Sequence, residues 1–276
     1  MLAVDEDPAL DNIVMGQPGR KYGRFAAMLF CVFALVCPAF GQGSAGTGGK
    51  LEPRFLVDLP TAGMLDKGSY AVDVDFYQQG GVLVGFSAGL FERFSIGLSY
   101  GGSNLIGNDS PVMNDVPGVN ARVRVLEENV FVPALVLGFD SQGRDGQIPG
   151  SHRYVIKSPG LFGVISKNYS LMGYLSLHGG VNYSFERSDG DRDINVFGGL
   201  EKTLGPFLSI VLEYNPALND NSENAIGKGR GYVNAALKCT LGSGVTLAVN
   251  FKDLARNGGG STAATRTVHI EFAHSF

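Results

Sequence analysis

The sequence contains no tryptophan and few charged residues. Of its 276 residues, 17% are Asp, Glu, Lys or Arg, and 40 are glycine. Low charge with many glycines, 18 Phe and 10 Tyr is typical of a β-rich chain that has many turns. Trp and Tyr usually form the interfacial girdles of membrane barrels, so in such a fold Phe and Tyr would replace Trp here.

Signals for nucleic-acid binding, metal binding and catalysis are also missing. The net charge is −4, which argues against a nucleic-acid partner. The four histidines lack the spacing of metal ligands, and no nucleophile stands in a recognisable motif. Beyond residue 67, no segment reads as a membrane-spanning helix. The sequence therefore predicts no catalytic residue, no metal site and no cofactor, and it favours a protein that is not an enzyme.

The N-terminus has the order of a secretory signal. Three basic residues precede the apolar run 25–40, and small residues follow where a signal peptidase would cut. We therefore assign residues 1–41 to a signal peptide. Residues 1–14 are acidic and suit such a signal poorly, which favours initiation at Met15. Residues 42–67 are assigned to a periplasmic linker and N-terminal segment, because they begin with a run rich in Gly, Ser and Thr.

Residues 266–276 alternate between apolar and polar side chains. Val268, Ile270, Phe272 and Phe276 share the apolar side. A strand of eleven residues with this period is long enough to cross a bilayer at a tilt. An aromatic residue closing such a strand resembles the sorting signal that the barrel-assembly machinery reads in bacterial outer-membrane barrels. Phe272 and Phe276 are therefore the candidate sorting residues.

Similar alternation recurs about a dozen times between residues 68 and 276. Two of these strands are predicted over 131–139 and 154–166, but the register within residues 131–166 is unclear, because 131–139 are apolar on both faces and Pro159 removes a ladder donor. The connections alternate between tight turns and long polar loops, the pattern of barrels with periplasmic turns and extracellular loops. The sequence thus predicts an all-β fold, a closed antiparallel transmembrane β-barrel of about twelve strands over residues 68–276, in the bacterial outer membrane.

Strand parity places a set of charged side chains on the inner face of this barrel. The candidate lumen charge network consists of Asp73, Asp75, Arg93, Arg122, Arg124, Glu213, Lys238 and Glu271. Two interpretations remain open, a charged channel lining and a lumen closed by its own ion pairs. Attraction between opposite charges in a narrow, partly dehydrated space favours the closed lumen. Residues 60–64, just before the first strand, lie either inside the barrel or in an ordered turn.

Three stretches carry a resemblance to a known family: Leu59–Tyr70, Pro133–Gly143 and Leu177–Ser184. They resemble the YjbH-like outer-membrane proteins, which are associated with exopolysaccharide production and secretion. The resemblance covers residues 55–276, and Pro60–Met64 is its most distinctive part. The chain departs from that family by being short, with one barrel's worth of strands, and by lacking a lipoprotein cysteine. The resemblance implies partners among polysaccharides or export-system proteins.

These observations favour a non-enzymatic outer-membrane accessory in exopolysaccharide export or envelope transport. A passive channel for small solutes is one alternative. A barrel enzyme acting on lipid or glycan is another, because His178 and His269 face the lumen by parity, where either could act as a base. The expected partners are outer-membrane lipids and the barrel-assembly machinery, besides the polysaccharide or export-system proteins.

Overall fold

The computed structural model describes Ala45 and residues 51–242, 244–258 and 264–275. The predicted signal peptide and Phe276 lie outside the described residues, so both remain predictions. Within the described part of the chain, no helix has the length and apolarity needed to cross a membrane.

The described residues form fifteen strands and no helix. In chain order the strands are β1 (Ser69–Tyr77), β2 (Gly81–Phe91), β3 (Phe94–Ser103), β4 (Val112–Met113), β5 (Gly118–Leu126), β6 (Ala134–Asp140), β7 (Arg144–Ile148), β8 (Arg153–Ile156), β9 (Gly160–Ser170), β10 (Tyr174–Tyr183), β11 (Asn195–Thr203), β12 (Leu208–Asn215), β13 (Tyr232–Gly242), β14 (Val245–Lys252) and β15 (Thr265–Ser275). The short strands β4, β7 and β8 lie in loops, and the other twelve build one barrel.

The barrel is closed because β1 has a strand on each side. It pairs with β2 and with β15, where Ser69 lies opposite Ser275 and Phe76 opposite Val268. Every other barrel strand pairs antiparallel with two neighbours, so the ring has no open edge. The predicted closed antiparallel barrel of about twelve strands is confirmed.

Two predicted strands in the ambiguous region have different bounds. β6 begins at Ala134 rather than at residue 131. The strand predicted over 154–166 is divided, since residues 153–156 belong to β8 and β9 begins only at Gly160. The break falls at Pro159, which has no amide hydrogen to donate to a neighbouring strand.

Alternate residues of each barrel strand face outward and inward. Leu98, Leu161 and Val181 point outward and are 50–57% exposed, whereas Ser209 and Asn234 point inward and are at most 3% exposed. The outer surface is therefore an apolar belt, whereas the inward side chains are mostly polar, apart from an apolar patch that includes Val136 and Phe162. This distribution is the reverse of that in a soluble globular protein, which buries its apolar side chains.

The two ends of the barrel differ in their connections. One end, which we call the short-turn rim, has turns as short as residues 92–93 and 204–207. The other end, the long-loop rim, has the connections 104–117, 141–159 and 216–231. The chain enters β1 and leaves β15 at the short-turn rim, because Ser69 and Ser275 lie side by side there.

Candidate functional site

Residues 51–66, which we call the internal segment, lie inside the barrel. Phe55 pairs with Pro60 across a tight turn. The Thr61 amide donates to the Arg54 carbonyl at 3.0 Å, so the segment doubles back on itself. Residues 60–64 are part of this buried structure, so this stretch lies inside the barrel and is itself part of a turn.

Glu213, on the inner face of β12, holds the tip of this turn. Its carboxylate accepts hydrogen bonds from three successive amides, those of Val57 (2.9 Å), Asp58 (3.0 Å) and Leu59 (3.1 Å). The Asn234 side chain donates to the same carboxylate at 2.7 Å. Glu213 is buried, so these charge-assisted bonds form away from bulk water.

Arg122, on the inner face of β5, holds the other part of the turn. Only 1% of this residue is exposed. Its Nη1 donates to the carbonyls of Arg54 (2.9 Å), Gly63 (3.3 Å) and Thr61 (3.4 Å). The guanidinium also lies 4.5 Å from the centroid of the Phe55 ring, a distance at which cation–π attraction operates.

One cationic side chain of the internal segment binds the opposite wall. Arg54 donates to Asp73 at 2.7 and 2.8 Å and to Glu271 at 3.4 Å. Burial acts to lower the pKa of Arg54, but the two carboxylates more than offset that effect and raise the pKa above its usual value. Arg54 therefore stays charged inside the barrel.

Apolar side chains of the internal segment fill the middle of the lumen. Leu59 and Met64 belong to a buried cluster that includes Val136 of β6 and Phe162 and Val164 of β9. The contact explains why residues 131–139 are apolar on both faces, since one face of β6 meets the surroundings and the other meets the segment. The largest apolar core of the described residues is thus the inside of the barrel.

Near the short-turn rim, the segment engages two further wall residues. Arg124 donates to the Ala62 carbonyl at 2.8 Å and pairs with Glu52. Ser166 accepts a hydrogen bond from the Ala62 amide at 2.9 Å and lies 2.7 Å from His178 Nδ1. The Ser–His contact is the arrangement that a barrel hydrolase would need, but here the Ser166 oxygen helps to hold the segment.

The predicted charge network binds the internal segment. Six of its eight members contact residues of the segment: Asp73, Arg122, Arg124, Glu213, Lys238 and Glu271. A seventh, Asp75, lies 2.8 Å from His269 and 3.4 Å from Arg144. The predicted lumen position of Arg93 is wrong, because Arg93 lies in a turn where strand parity does not apply. Its side chain is 63% exposed and faces Glu127 at the short-turn rim.

The long-loop rim carries a second closure that sequence reasoning missed. β7 and β8 pair to form what we call the outer hairpin, in the loop between β6 and β9. Arg153 of this hairpin pairs with Asp189 at 2.6 Å and with Asp220 at 3.1 Å. Lys157, just after the hairpin, reaches Asp189 at 2.7 Å. All four side chains are at most 4% exposed, so three long loops are joined by buried ion pairs.

The two closures meet inside the barrel. Phe55 of the internal segment contacts Arg122 of β5 and also Arg144 of the outer hairpin. The Arg144 guanidinium lies 4.7 Å from the centroid of the Phe55 ring. Lys252, at the end of β14, reaches Asp58 of the segment at 2.8 Å and Asp145 of the hairpin at 2.6 Å. The segment and the hairpin therefore share partners.

Asp58, one of the acidic groups at this junction, has a strongly raised pKa. Burial, together with the Asp145 and Glu213 carboxylates, raises the pKa of Asp58 to about 7, against the lowering effect of the Lys252 ammonium. Several carboxylates thus compete for the same cation in a confined space.

The space left between the internal segment and the wall is small. A cavity with a volume of about 70 Å³ lies beside Arg54 and Phe55, which is room for roughly five water molecules. Asp73, His269 and Glu271 border it and place ligand atoms within 4.8 Å of one another, as a metal ion would require. Arg54 already supplies a cation to two of these three residues.

The remaining candidate residue that the structure describes is Phe272 of β15. Its ring lies 6.1 Å from that of Tyr70 and 6.4 Å from that of His274. These contacts place it in an aromatic cluster near the short-turn rim. Its role in sorting stays a prediction.

Comparisons with known proteins find similarity at the level of three-dimensional structure. No family model matches the chain, and no curated protein matches it. The KdgM porin is similar with a TM-score of 0.45 and 12% identity, over 75% of this chain and 99% of the porin. The translocator domain of the autotransporter NalP from Neisseria meningitidis has a TM-score of 0.31 and 12% identity, over 75% of this chain and 86% of that one. The outer-membrane channel DcaP of Acinetobacter baumannii has a TM-score of 0.29 and 8% identity, over 75% and 95% of the two chains.

Proposed function

We propose that this protein is a β-barrel of the bacterial outer membrane that is closed at rest by its own internal segment. We further propose that it acts as a non-enzymatic accessory in envelope transport, in the setting of exopolysaccharide export. The observation that carries the proposal is the binding of residues 51–66 inside the lumen by charged wall residues, above all Arg122 and Glu213.

The apolar belt supports a location in a membrane. Side chains such as Leu98 would expose a continuous apolar surface to water, whereas in a bilayer they meet lipid tails. A closed ring satisfies the backbone of every strand internally, which hydrocarbon requires. In this setting the short-turn rim faces the periplasm and the long-loop rim faces the exterior.

Replacing Leu98 by Arg tests the membrane location. On a soluble protein, an exposed Leu→Arg change is close to neutral, but in a bilayer it costs roughly 2–4 kcal/mol near the midplane. We expect that loss when folding into lipid vesicles is titrated with denaturant. Leu254→Arg, in an exposed loop, is the control and should leave folding unchanged. Equal stability of the two variants would contradict the assignment.

A closed resting state follows from how the lumen is filled. A cavity of about 70 Å³ does not form a path for solutes, and closures at both rims border the passage. A passive small-solute channel is therefore less well supported than a barrel that must be opened. Opening would require the internal segment to move, together with the loops of the outer hairpin, whose Arg144 and Asp145 also reach into the lumen.

The proposed role in exopolysaccharide export is supported by where the residues that resemble the YjbH-like family lie in the structure. Pro60–Met64, the stretch most similar to the YjbH-like family, forms part of the internal segment. Its Thr61 and Gly63 carbonyls face Arg122. The most distinctive residues of the resemblance therefore belong to the closure.

Planar-bilayer recording with an Arg122→Ala variant tests the closed state. Wild-type protein should show little steady conductance. The substitution leaves the buried carbonyls of Thr61 and Gly63 without their donor, at about 1–3 kcal/mol for each unsatisfied group, while the Arg54 carbonyl keeps the Thr61 amide; it should produce openings whenever the outer loops also part. Arg93→Ala removes an exposed cation at the rim and should behave as wild type. Large, stable openings from wild-type protein, in proportion to salt concentration, would overturn the proposal.

A further inference from the structure

The lumen wall binds the main chain of the internal segment at several points, in addition to the ion pairs that the segment's Arg54 and Asp58 side chains form. Glu213 accepts three successive amides, and Arg122 donates to three carbonyls. Lys238 donates to the Phe55 carbonyl at 2.9 Å. Contacts of this kind are available to any polypeptide with the same backbone shape, because they do not depend on the identity of its side chains.

The shape of the turn is held within the segment itself. Besides the bond between Thr61 and Arg54, the Thr61 hydroxyl donates to the Pro53 carbonyl, and the Gly63 amide donates back to that hydroxyl at 3.0 Å. A Cβ at Gly63 would lie 2.2 Å from the Pro53 oxygen, so only glycine fits this close approach. The segment's own contacts therefore fix the conformation of the turn, and the lumen wall provides the groups that bind it.

The wall is also complete without the segment. The ring is closed by strand pairing alone, with β1 between β2 and β15. What the segment covers is an apolar patch on β6 and β9, formed by Val136, Phe162 and Val164. An occupant of the lumen must therefore offer one apolar side in addition to its amides.

We infer that the lumen is a binding site for a tight polypeptide turn with one apolar side. The internal segment is its resident ligand, and the same turn from a second copy of this protein can replace it. A carboxylate can only accept and a guanidinium can only donate. Three successive amides around one carboxylate are a backbone anion nest, which polypeptide provides. This inference rests on the proposed function, because replacement requires the segment to leave the lumen.

The test uses the full chain with a specific protease site inserted at the exposed Lys67. The protein is folded, reconstituted and then cut, so that the segment is held only by non-covalent contacts. A fluorescent peptide of residues 51–66 is added, and its binding is followed by anisotropy. We expect saturable exchange with the resident segment.

Modified peptides and a wall variant identify what is bound. N-methylation at positions 57, 58 and 59 removes the three donors and should weaken binding about tenfold or more, whereas N-methylation at the exposed position 52 should not. In a cut Glu213→Gln protein the unmodified peptide should bind more weakly, and methylation at 57–59 should then add little. Additive effects of the two changes would overturn main-chain recognition by Glu213.

Two further results would contradict the inference. The first is a cut protein that never exchanges its segment for the added peptide, or an exchange in which methylated and unmodified peptides compete equally. The second is displacement of the peptide by an acidic or neutral oligosaccharide but not by an unlabelled peptide. Conductance of the same cut protein separates the two proposals. Suppose that washing away the segment opens the barrel but the added peptide does not close it again. That result would support closure by the internal segment and would contradict the peptide-binding site.

Discussion

The two closures of this barrel are built in different ways. The inner closure is the internal segment, held by side chains of rigid strands that bind its main chain, as Glu213 does. The outer closure is the outer hairpin with its neighbouring loops, joined by side chains of loops that bind one another, as Arg153 and Asp189 do. One closure is therefore a ligand in a preformed site, and the other is a set of loops that order each other.

This difference predicts different routes of opening. Withdrawal of the internal segment leaves the strand ladder unchanged, because none of the barrel strands pairs with it. Loss of the outer ion pairs instead releases several loops together, since Asp189 serves both Arg153 and Lys157. Native-state hydrogen exchange, followed by mass spectrometry on peptides from residues 51–66 and 141–159, reports on each closure separately.

The largest effect is expected from Asp189→Asn. The change keeps the shape of the side chain but leaves the buried Lys157 without its carboxylate and Arg153 with Asp220 alone, which costs roughly 3–5 kcal/mol. Exchange in the outer closure should rise about a hundred- to several thousandfold, since 1.4 kcal/mol corresponds to about tenfold, while residues 51–66 keep their protection. Asp193→Asn, at an exposed position nearby, is the control. Unchanged exchange in residues 141–159 would show that the ion pairs do not hold the loops.

A smaller effect is expected from Glu213→Gln. The neutral amide forms weaker hydrogen bonds with the three segment amides, a loss of about 1.5–3 kcal/mol for bonds to a charged group. Exchange at positions 57–59 should therefore rise about ten- to a hundredfold. Glu186→Gln is the matched variant in the outer closure, where Glu186 accepts from the amides of Tyr154 and Ser158, both at 2.8 Å. Glu213→Gln should raise exchange only in the inner closure, and Glu186→Gln only in the outer closure. A variant that raises exchange in both closures would show that the closures are not independent.

The smallest effect concerns the junction of the two closures. Phe55→Leu keeps an apolar side chain but removes the ring between Arg122 and Arg144. Each cation–π contact is worth about 0.5–2 kcal/mol, so exchange should rise by about three- to thirtyfold, and in both closures. Phe131→Leu, at a turn position that is 92% exposed, should change neither. A response confined to residues 51–66 would mean that Phe55 does not connect the closures.

Strand alternation made the barrel predictable. Each outward residue of β2 or β14 is apolar because the position faces the apolar belt, and this requirement repeats every two residues along the chain. Parity also places Arg122 and Glu213 on the inner face without any knowledge of their partners. Arg93 shows the limit of parity, because in a turn the side chain no longer alternates between two faces.

The partners of the inward charges were beyond the reach of the sequence pattern. Arg54 and Glu271 are 217 residues apart, and Val57 and Glu213 are 156 residues apart. One signal was present, the inward apolar residues such as Val136 and Phe162, which a water-filled lumen does not require. The sequence pattern showed that apolar residues occupy the inward face, where polar residues are expected, but it did not show which residues they contact.

The sequence by itself determined a closed twelve-stranded barrel with an apolar outside and a polar inside, because strand polarity is a local property with a period of two residues. Only the tertiary structure decided that residues 51–66 fill the lumen and that the long loops close over the other end. Those outcomes depend on which distant groups meet within the ring. Once the ring is closed, buried charges such as Glu213 and Arg122 must find partners away from water, and the internal segment supplies them.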